Sequence, residues 1–116
     1  MSAPMRTQTF LILAGLAEQP RHGYGIVQTV AGLSEGEVKL RPGTLYGALE
    51  RLTEQGLIEV DHEEAVEGRL RRYYRLTREG ATALGAEIER LQRHTDAARD
   101  QLSRWPGVAI PAGGAA

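Results

Sequence analysis

The segment from Arg41 to Ile58 has the clearest helical pattern of apolar and polar positions in the chain. Pro42 suits the first turn of a helix, because its φ angle is fixed and its missing N–H is not needed there. One apolar stripe follows at helical spacing, formed by Leu45, Ala48, Leu49 and Leu52. Gly56 is a left-handed stop signal, and Leu57 begins an extended segment. The side opposite the stripe carries Gly43, Gly47, Glu50 and Glu54, flanked by Thr44, Tyr46 and Arg51. This pattern fits both a helix that reads a groove and an ordinary amphipathic surface helix.

Two shorter apolar patterns precede this helix. The first runs from Arg6 to Gln19 and is apolar over a wide arc, which is typical of a central helix in a small bundle. A break at 19–23, rich in proline and glycine signals, separates it from a second helix that runs from about Tyr24 to Leu33. The predicted buried face of the second helix consists of Ile26, Val27, Val30 and Leu33. Residues 38–40 are too short to assign, and a three-residue strand is one interpretation.

A β-hairpin is predicted after the central helix. Leu57 to Val66 mixes β-branched residues with acidic ones, a turn follows at 67–68, and Leu70 to Leu76 returns. Alternation places Tyr74 and Leu76 on one face of the returning strand, and Arg71, Tyr73 and Arg75 on the other. Cross-strand pairs between arginines and carboxylates would contribute roughly 0.2–1 kcal/mol each and keep the ribbon in register.

A long helix is predicted from Thr77, a good N-cap residue, to about Ser103. It carries a heptad seam with alternating spacings of three and four, made of Ala81, Leu84, Ile88, Leu91, Thr95, Ala98 and Leu102. A helix of this length spans about 39 Å, more than a small domain can cover, so part of the seam must face another molecule. Since closed two-fold dimers are the commonest oligomers, self-association is the simplest interpretation.

Composition narrows the classes of function. The chain has 116 residues, no cysteine and a formal net charge of −1, so thiolate metal sites and disulfides are excluded and the overall charge does not argue for nucleic acid. The charge distribution is more informative, because an acidic block at 59–67 is followed directly by an arginine-rich one at 69–78. Neither a secretory signal nor an apolar stretch of membrane-spanning length is evident, which predicts a cytoplasmic protein without membrane contact.

Candidates for catalysis or metal binding are weak. The three histidines, His22, His62 and His94, fall in a turn, a strand and the last helix without ligand spacing. His62 stands beside two glutamates, but neighbours on a strand point to opposite faces. We therefore predict no enzyme, no metal and no cofactor.

The order of the predicted elements indicates the fold class. Three helices followed by a hairpin make a winged helix-turn-helix, mainly α with a small β-hairpin, which we assign to residues 1–76. A C-terminal dimerisation helix would occupy 77–104, and a flexible tail 105–116. A helix fits the major groove of duplex DNA, and an arginine-bearing ribbon beside it can reach the minor groove or the backbone.

At this level of detail the chain resembles the PadR family of bacterial transcriptional regulators, in its compact form with a single C-terminal helix. Five segments at family spacing carry the resemblance: Gly23-Tyr24-Gly25-Ile26, Arg41-Pro42-Gly43-Thr44-Leu45-Tyr46, Leu49-Glu50-Arg51-Leu52 running to Gly56-Leu57-Ile58, Gly68 with Arg71-Arg72-Tyr73-Tyr74, and Leu76-Thr77-Arg78-Glu79-Gly80. Two positions depart from it. Gly47 stands where relatives often carry proline, and Glu67 where a second glycine is common.

The resemblance implies a set of DNA-binding residues: Tyr24, Pro42, Gly43, Thr44, Tyr46, Arg51, Arg69, Arg71 and Arg72. Each side chain also has a structural interpretation. Tyr24 could be a half-buried core residue, Tyr46 could pack against the wing or the first helix, and Arg51 could pair with Glu54. The wing arginines could form a solvated ribbon with Glu63 and Glu64, whereas Tyr74 is expected in the core.

The seam residues are expected at a homodimer interface, with packing inside their own subunit as the alternative. By resemblance, a small hydrophobic effector could bind near that interface, although the middle of the last helix carries no aromatic residue. The predicted function is a sequence-specific DNA-binding repressor that binds an inverted-repeat operator as a homodimer and is released by an effector. The alternative is a winged-helix protein-interaction module that does not bind DNA.

Overall fold

The fold combines four helices with one small antiparallel sheet. A computed structural model of the chain describes residues 4–107. Its elements in chain order are α1 (Thr7–Leu16), β1 (Arg21–His22), α2 (Gly23–Leu33), α3 (Pro42–Glu54), β2 (Ile58–Val66), β3 (Arg69–Leu76) and α4 (Arg78–Ser103). The predicted fold class, mainly α with a β-hairpin and a long last helix, is confirmed. The part of the predicted tail at 108–116 lies outside the described residues.

One apolar core unites the first three helices, the start of β2 and the first turns of α4. Its buried members are Ile12, Leu13, Leu16, Ile26, Val30, Leu40, Leu45, Ala48, Leu49, Leu52, Ile58 and Leu84. All four residues of the stripe predicted for α3 are among them, so that prediction is confirmed. Leu33, predicted to be buried, is 52% exposed, because it ends α2 where the chain turns away into a loop.

Helix ends differ modestly from the predictions. α1 ends at Leu16, earlier than the predicted Gln19, and α3 ends as expected before Gly56, which has a φ angle of +76°. The stretch at 38–40 is not a strand, although it brings Leu40 into the core. Thr77 caps α4 as predicted, since its Oγ1 accepts a hydrogen bond from the Gly80 N–H at 3.0 Å.

The sheet has the strand order β1-β3-β2, and all its pairings are antiparallel. Strand β1 is an addition to the prediction, a two-residue strand inside the segment that we interpreted as a break. The hairpin turn is formed by Glu67 and Gly68, whose φ angles are +50° and +79°. Positive φ at both central residues matches the type I′ turns that suit the twist of two-residue hairpins. A β-bulge at Asp61 shifts the register between Val60↔Tyr74 and His62↔Tyr73.

The start of α4 is joined to the end of α3 by hydrogen bonds. Thr77 donates its N–H to the Leu57 carbonyl at 3.1 Å and its hydroxyl to the Gly56 carbonyl at 2.6 Å. Gly80 packs so closely here that a Cβ atom would lie 2.0 Å from the Leu57 carbonyl oxygen. No helix within residues 4–107 combines the length and apolarity that crossing a membrane requires.

Candidate nucleic-acid interface

A cleft of about 680 Å³ lies between the hairpin and the N-terminal ends of α2 and α3. Its walls bring together side chains that are far apart in sequence: Tyr24 and Tyr46 on the helical side, and Arg69, Arg71 and Arg72 on the hairpin side. Five elements of the fold, β1, α2, α3, β2 and β3, therefore converge on one surface. Strand β1 joins the start of α2 to the hairpin through its pairing with β3. Five of the nine residues proposed for DNA contact line this cleft.

The two tyrosines project into solvent from neighbouring helices. Tyr24 is 67% exposed and Tyr46 is 59% exposed, so the interpretation of Tyr24 as a half-buried core residue is wrong. Tyr46 crosses the start of α2 closely, because a Cβ atom at Gly23 would lie 3.1 Å from its hydroxyl oxygen. Glycine at position 23 therefore leaves room for the Tyr46 hydroxyl beside the N-terminus of α2. A ligand that reaches the backbone N–H groups there would also meet this hydroxyl.

The N-termini of α2 and α3 both lack side-chain caps. Neither His22 nor Arg41, the respective N-cap residues, accepts a hydrogen bond through its side chain from the first turn. Pro42, Gly43 and Thr44 form the first turn of α3 and are exposed. Uncapped N–H groups and the positive end of the helix dipole favour an anion, and a DNA phosphate is an anion of this kind.

The three arginines of β3 differ in their ion pairing. Arg72 shares the inner face of the hairpin with Tyr74 and reaches Glu63 only at 3.9 Å, the outer limit of an ion pair. The guanidinium groups of Arg69 and Arg71 form no hydrogen bond or ion pair with the described residues. Arg71 lies opposite Glu64 in the register, yet that carboxylate contacts His62 Nε2 instead, at 3.2 Å. Of the pairs predicted between the wing arginines and Glu63 or Glu64, only Arg72–Glu63 forms. The guanidinium groups of Arg69 and Arg71 therefore remain available.

A group of three aromatic rings that the sequence analysis did not predict lies on the outer face of the sheet. Tyr73 lies parallel to His62, with ring centroids 4.4 Å apart, and meets His22 of β1 at 5.1 Å. The predicted face of Tyr73 is thus confirmed, as is the core packing of Tyr74. A hydrogen bond to Asp61 raises the pKa of His62, with a smaller contribution from Glu64. Burial lowers the pKa of His22, and the nearby charge of Arg71 lowers it further.

Arg51 lies apart from the cleft. Its Nη2 donates to Thr9 Oγ1 on α1 at 3.3 Å, on the flank of α3 opposite Tyr46. The alternative pairing with Glu54 does not form. Because a single long hydrogen bond between exposed side chains is weak, Arg51 keeps enough freedom to meet a phosphate at that flank.

The seam of α4 divides into a buried start and an exposed remainder. Leu84 is 7% exposed and belongs to the core of its own subunit, which favours the alternative of packing inside that subunit. Ile88, Leu91 and Leu102 remain 50%, 37% and 42% exposed. The smaller seam residues, Ala81, Thr95 and Ala98, are also exposed.

Beside the exposed seam, Glu87 is a buried carboxylate on the side of α4 that faces α1. It binds the Arg90 guanidinium, whose Nε lies 2.9 Å from Oε1, and accepts the backbone N–H of Met5 at 3.4 Å. The hydrogen bonds from Arg90 lower the pKa of Glu87 and keep it ionised. Through its hydrogen bond with Met5, Glu87 connects the N-terminal segment to α4.

Comparison with known proteins gives a consistent result. The sequence model of the transcriptional regulator PadR-like family matches residues 12–86. A transcriptional regulator from Mycobacterium tuberculosis is 38% identical over 81 residues, which cover 70% of this chain and 72% of that protein. The crystal structure of a PadR family transcription regulator from Clostridium difficile R20291 superposes with a TM-score of 0.71 at 26% identity, over 84% of this chain and 99% of that one. A PadR family regulator from Eggerthella lenta has a TM-score of 0.70 at 28% identity, over 85% and 84% of the two chains.

Proposed function

The chain belongs to the PadR-like family of transcriptional regulators, and from that premise we propose that it is a homodimeric repressor of an inverted-repeat DNA operator, released by a small-molecule effector. The family is defined by regulation of transcription rather than by catalysis. Residues 1–76 would bind the DNA, and residues 77–104 would form the dimer.

The observation that carries the DNA-binding proposal is the shared cleft. It combines uncapped N-termini of two helices, two exposed tyrosine hydroxyls and guanidinium groups on one surface. Each of these groups donates hydrogen bonds to phosphate oxygens, and such contacts position a protein on duplex DNA. If the cleft contacted the sugar-phosphate backbone of the DNA, α3 would enter the major groove. The hairpin would then reach the adjacent minor groove.

Arg69 and Arg71 are the strongest candidates for the electrostatic part of binding, because no carboxylate competes for them. We expect that replacing both with alanine weakens binding to all sequences alike. The slope of log affinity against log salt concentration should fall by about four, because each of the two subunits of the proposed dimer loses two phosphate contacts. Arg93→Ala is a control of the same charge change per residue, since Arg93 is exposed on α4, away from the cleft. An unchanged slope in the double variant would remove the hairpin from the DNA contacts.

A gel shift with the upstream region of the chain's own gene tests the function itself. Retardation that survives competition by unrelated duplex supports the regulator, and its absence even at low salt would contradict it. The alternative, a protein-interaction module, is favoured by one observation: the outward face of α3 carries Glu50 and Glu54, which repel phosphates. That module would dimerise without retarding any duplex.

The proposed dimer is supported by the exposed seam of α4. Two copies joined along Ile88, Leu91 and Leu102 would bury apolar surface that one copy leaves in water, and would present two α3 helices to one face of the duplex. Half-sites one helical turn apart, about 34 Å, match such a pair.

Aspartate substitutions at Ile88 and Leu102 test this interface, because they place charge on the seam without touching the core. We expect a folded monomer in sedimentation velocity. Ala86→Asp with Ala97→Asp adds the same charge on the opposite side of the helix and is expected to leave the dimer intact. A dimer that persists in the seam variant would show that another surface joins the subunits.

The proposed effector is supported by a cavity of about 300 Å³ between α1 and α4, at the edge of the seam. Its lining is mainly apolar and includes Met5, Phe10, Leu11, Val38 and Leu91. This volume is at the lower end of the range for small-molecule sites. A ligand there would contact both the DNA-binding part and the seam, and Leu11→Trp is expected to fill the cavity and make the repressor unresponsive.

A further inference from the structure

The outward face of α3 has an unusual composition for a helix that faces DNA. Gly43 and Gly47 occupy its first turns, and Glu50 and Glu54 occupy its last two. None of these four residues contributes to the buried stripe, and the face carries no cation. The guanidinium that follows in sequence, Arg51, is turned to the flank and donates to Thr9.

Glu50 is the carboxylate in the middle of this face, and it is exposed without a hydrogen bond or an ion pair to any of the described residues. A surface glutamate on a helix often pairs with a basic residue three or four positions away. Here Tyr46, Gly47, Thr53 and Glu54 hold those positions, so no such partner exists. The carboxylate is therefore free to meet a group outside the chain.

The major groove offers a carboxylate few acceptable partners. Phosphates line its rim and repel the negative charge, and guanine presents only acceptors there. The donors are the N4 amino group of cytosine and the N6 amino group of adenine. Adenine places its N7 acceptor beside the amino group, where it would face the second carboxylate oxygen, so cytosine is the better partner.

The glycines bring this carboxylate within reach. A Cβ atom at Gly43 or Gly47 would meet nothing within 4 Å, so the first two turns present backbone with open space around it. Because neither position carries a side chain, this face of the N-terminal half of α3 can lie close to the base edges. Glu50 then becomes the first long side chain on that face, and its carboxylate reaches the groove floor ahead of any other.

We propose that Glu50 specifies a cytosine in each operator half-site by accepting a hydrogen bond from its N4 amino group. This inference rests on the proposed DNA-binding function and deepens it. It also accounts for the acidic outer face of α3, which the protein-interaction alternative would otherwise explain better.

Selection of binding sites from a randomised duplex library tests the proposal with the full chain and three variants. We expect the wild type to enrich cytosine at one position in each half-site. Glu50→Ala should lose the preference at that position alone, and Glu50→Gln should shift it to adenine, since glutamine bonds adenine N6 and N7 together. On two duplexes that differ at this base pair, the wild type should discriminate about tenfold and Glu50→Ala not at all.

Glu54→Gln is the matched control, because it removes the same charge from the same face one turn later. Both glutamine variants should bind unrelated DNA more tightly, since each removes a charge that repels phosphates, but only the change at position 50 should alter the base preference. An identical consensus in the wild type and the Glu50 variants would overturn the proposal while leaving the regulator function standing. If the wild type enriches no sequence at all, the proposed function itself fails.

Discussion

Gly80 offers the sharpest test of how α4 is attached to the rest of the fold. A Cβ atom there would lie 2.0 Å from the Leu57 carbonyl oxygen and 2.8 Å from Leu76 Cδ1. Ordinary contact begins near 3.4 Å, so the two segments would have to separate by more than 1 Å. The same Leu57 oxygen accepts the N–H of Thr77, and that movement would break this hydrogen bond.

The expected cost of Gly80→Ala follows from these contacts. Overpacking costs about 1–3 kcal/mol and the lost hydrogen bond about 0.5–1.5 kcal/mol, whereas the gain in helix propensity returns only about 1 kcal/mol. We therefore expect the free energy of unfolding to fall by about 0.5–3.5 kcal/mol. Urea denaturation should be measured at one fixed protein concentration, because the proposed dimer would contribute to stability.

Gly85→Ala in the same helix is the control for this variant. Nothing lies within 4 Å of its Cβ position, so the substitution should raise stability by about 0.5–1 kcal/mol. If Gly80→Ala fails to lower the urea midpoint while Gly85→Ala raises it, Gly80 does not pack against Leu57 as closely as the structure shows.

Three further predictions concern the hairpin and the core. Glu67→Gly should stabilise the fold by about 1 kcal/mol in urea denaturation, because Glu67 holds a φ angle of +50° that glycine adopts without strain. The pKa of His62 is raised by its hydrogen bond to Asp61 and its contact with Glu64, so its stabilising contribution should be complete below its unfolded pKa and lost as pH rises through the folded value. Urea midpoints of the wild type and His62→Gln should accordingly differ more at pH 5.5 than at pH 9, and equal differences would contradict the assignment. Leu52→Ala, at a fully buried site, should cost about 2–5 kcal/mol by the same measurement, and a loss below 1 kcal/mol would mean that the core collapses around the gap.

Patterns with one strong physical cause were predictable from the sequence. The stripe of α3 was recognisable because its apolar residues recur at helical spacing between Pro42 and Gly56, each of which has a fixed structural meaning. The hairpin was recognisable because Gly68 follows Glu67 between two β-forming runs. The cap at Thr77 and the length of α4 followed from the same kind of signal.

Contacts between distant segments were not predictable in this way. Strand β1 has two residues and forms only because β3 offers a free edge beside Arg21 and His22. The rings of His22, Tyr73 and His62 come together through that pairing and through the bulge at Asp61, neither of which leaves a periodic signal. The contact of Arg51 with Thr9 and the burial of Leu84 were not foreseen for a related reason, since a single helix does not reveal which neighbouring element will cover its flank.

The joint at Gly80 bears on how the two proposed parts of the molecule work together. Two residues that follow α3 directly, Gly56 and Leu57, are the ones whose carbonyls accept hydrogen bonds from Thr77 at the start of α4. No flexible linker therefore separates α3 from the helix proposed to form the dimer. In a dimer built on the seam, the distance between the two α3 helices would be set by this joint and by the crossing of the two α4 helices. A ligand that tilts α4 would change that distance directly, and half-sites at a fixed spacing would then no longer fit both helices at once.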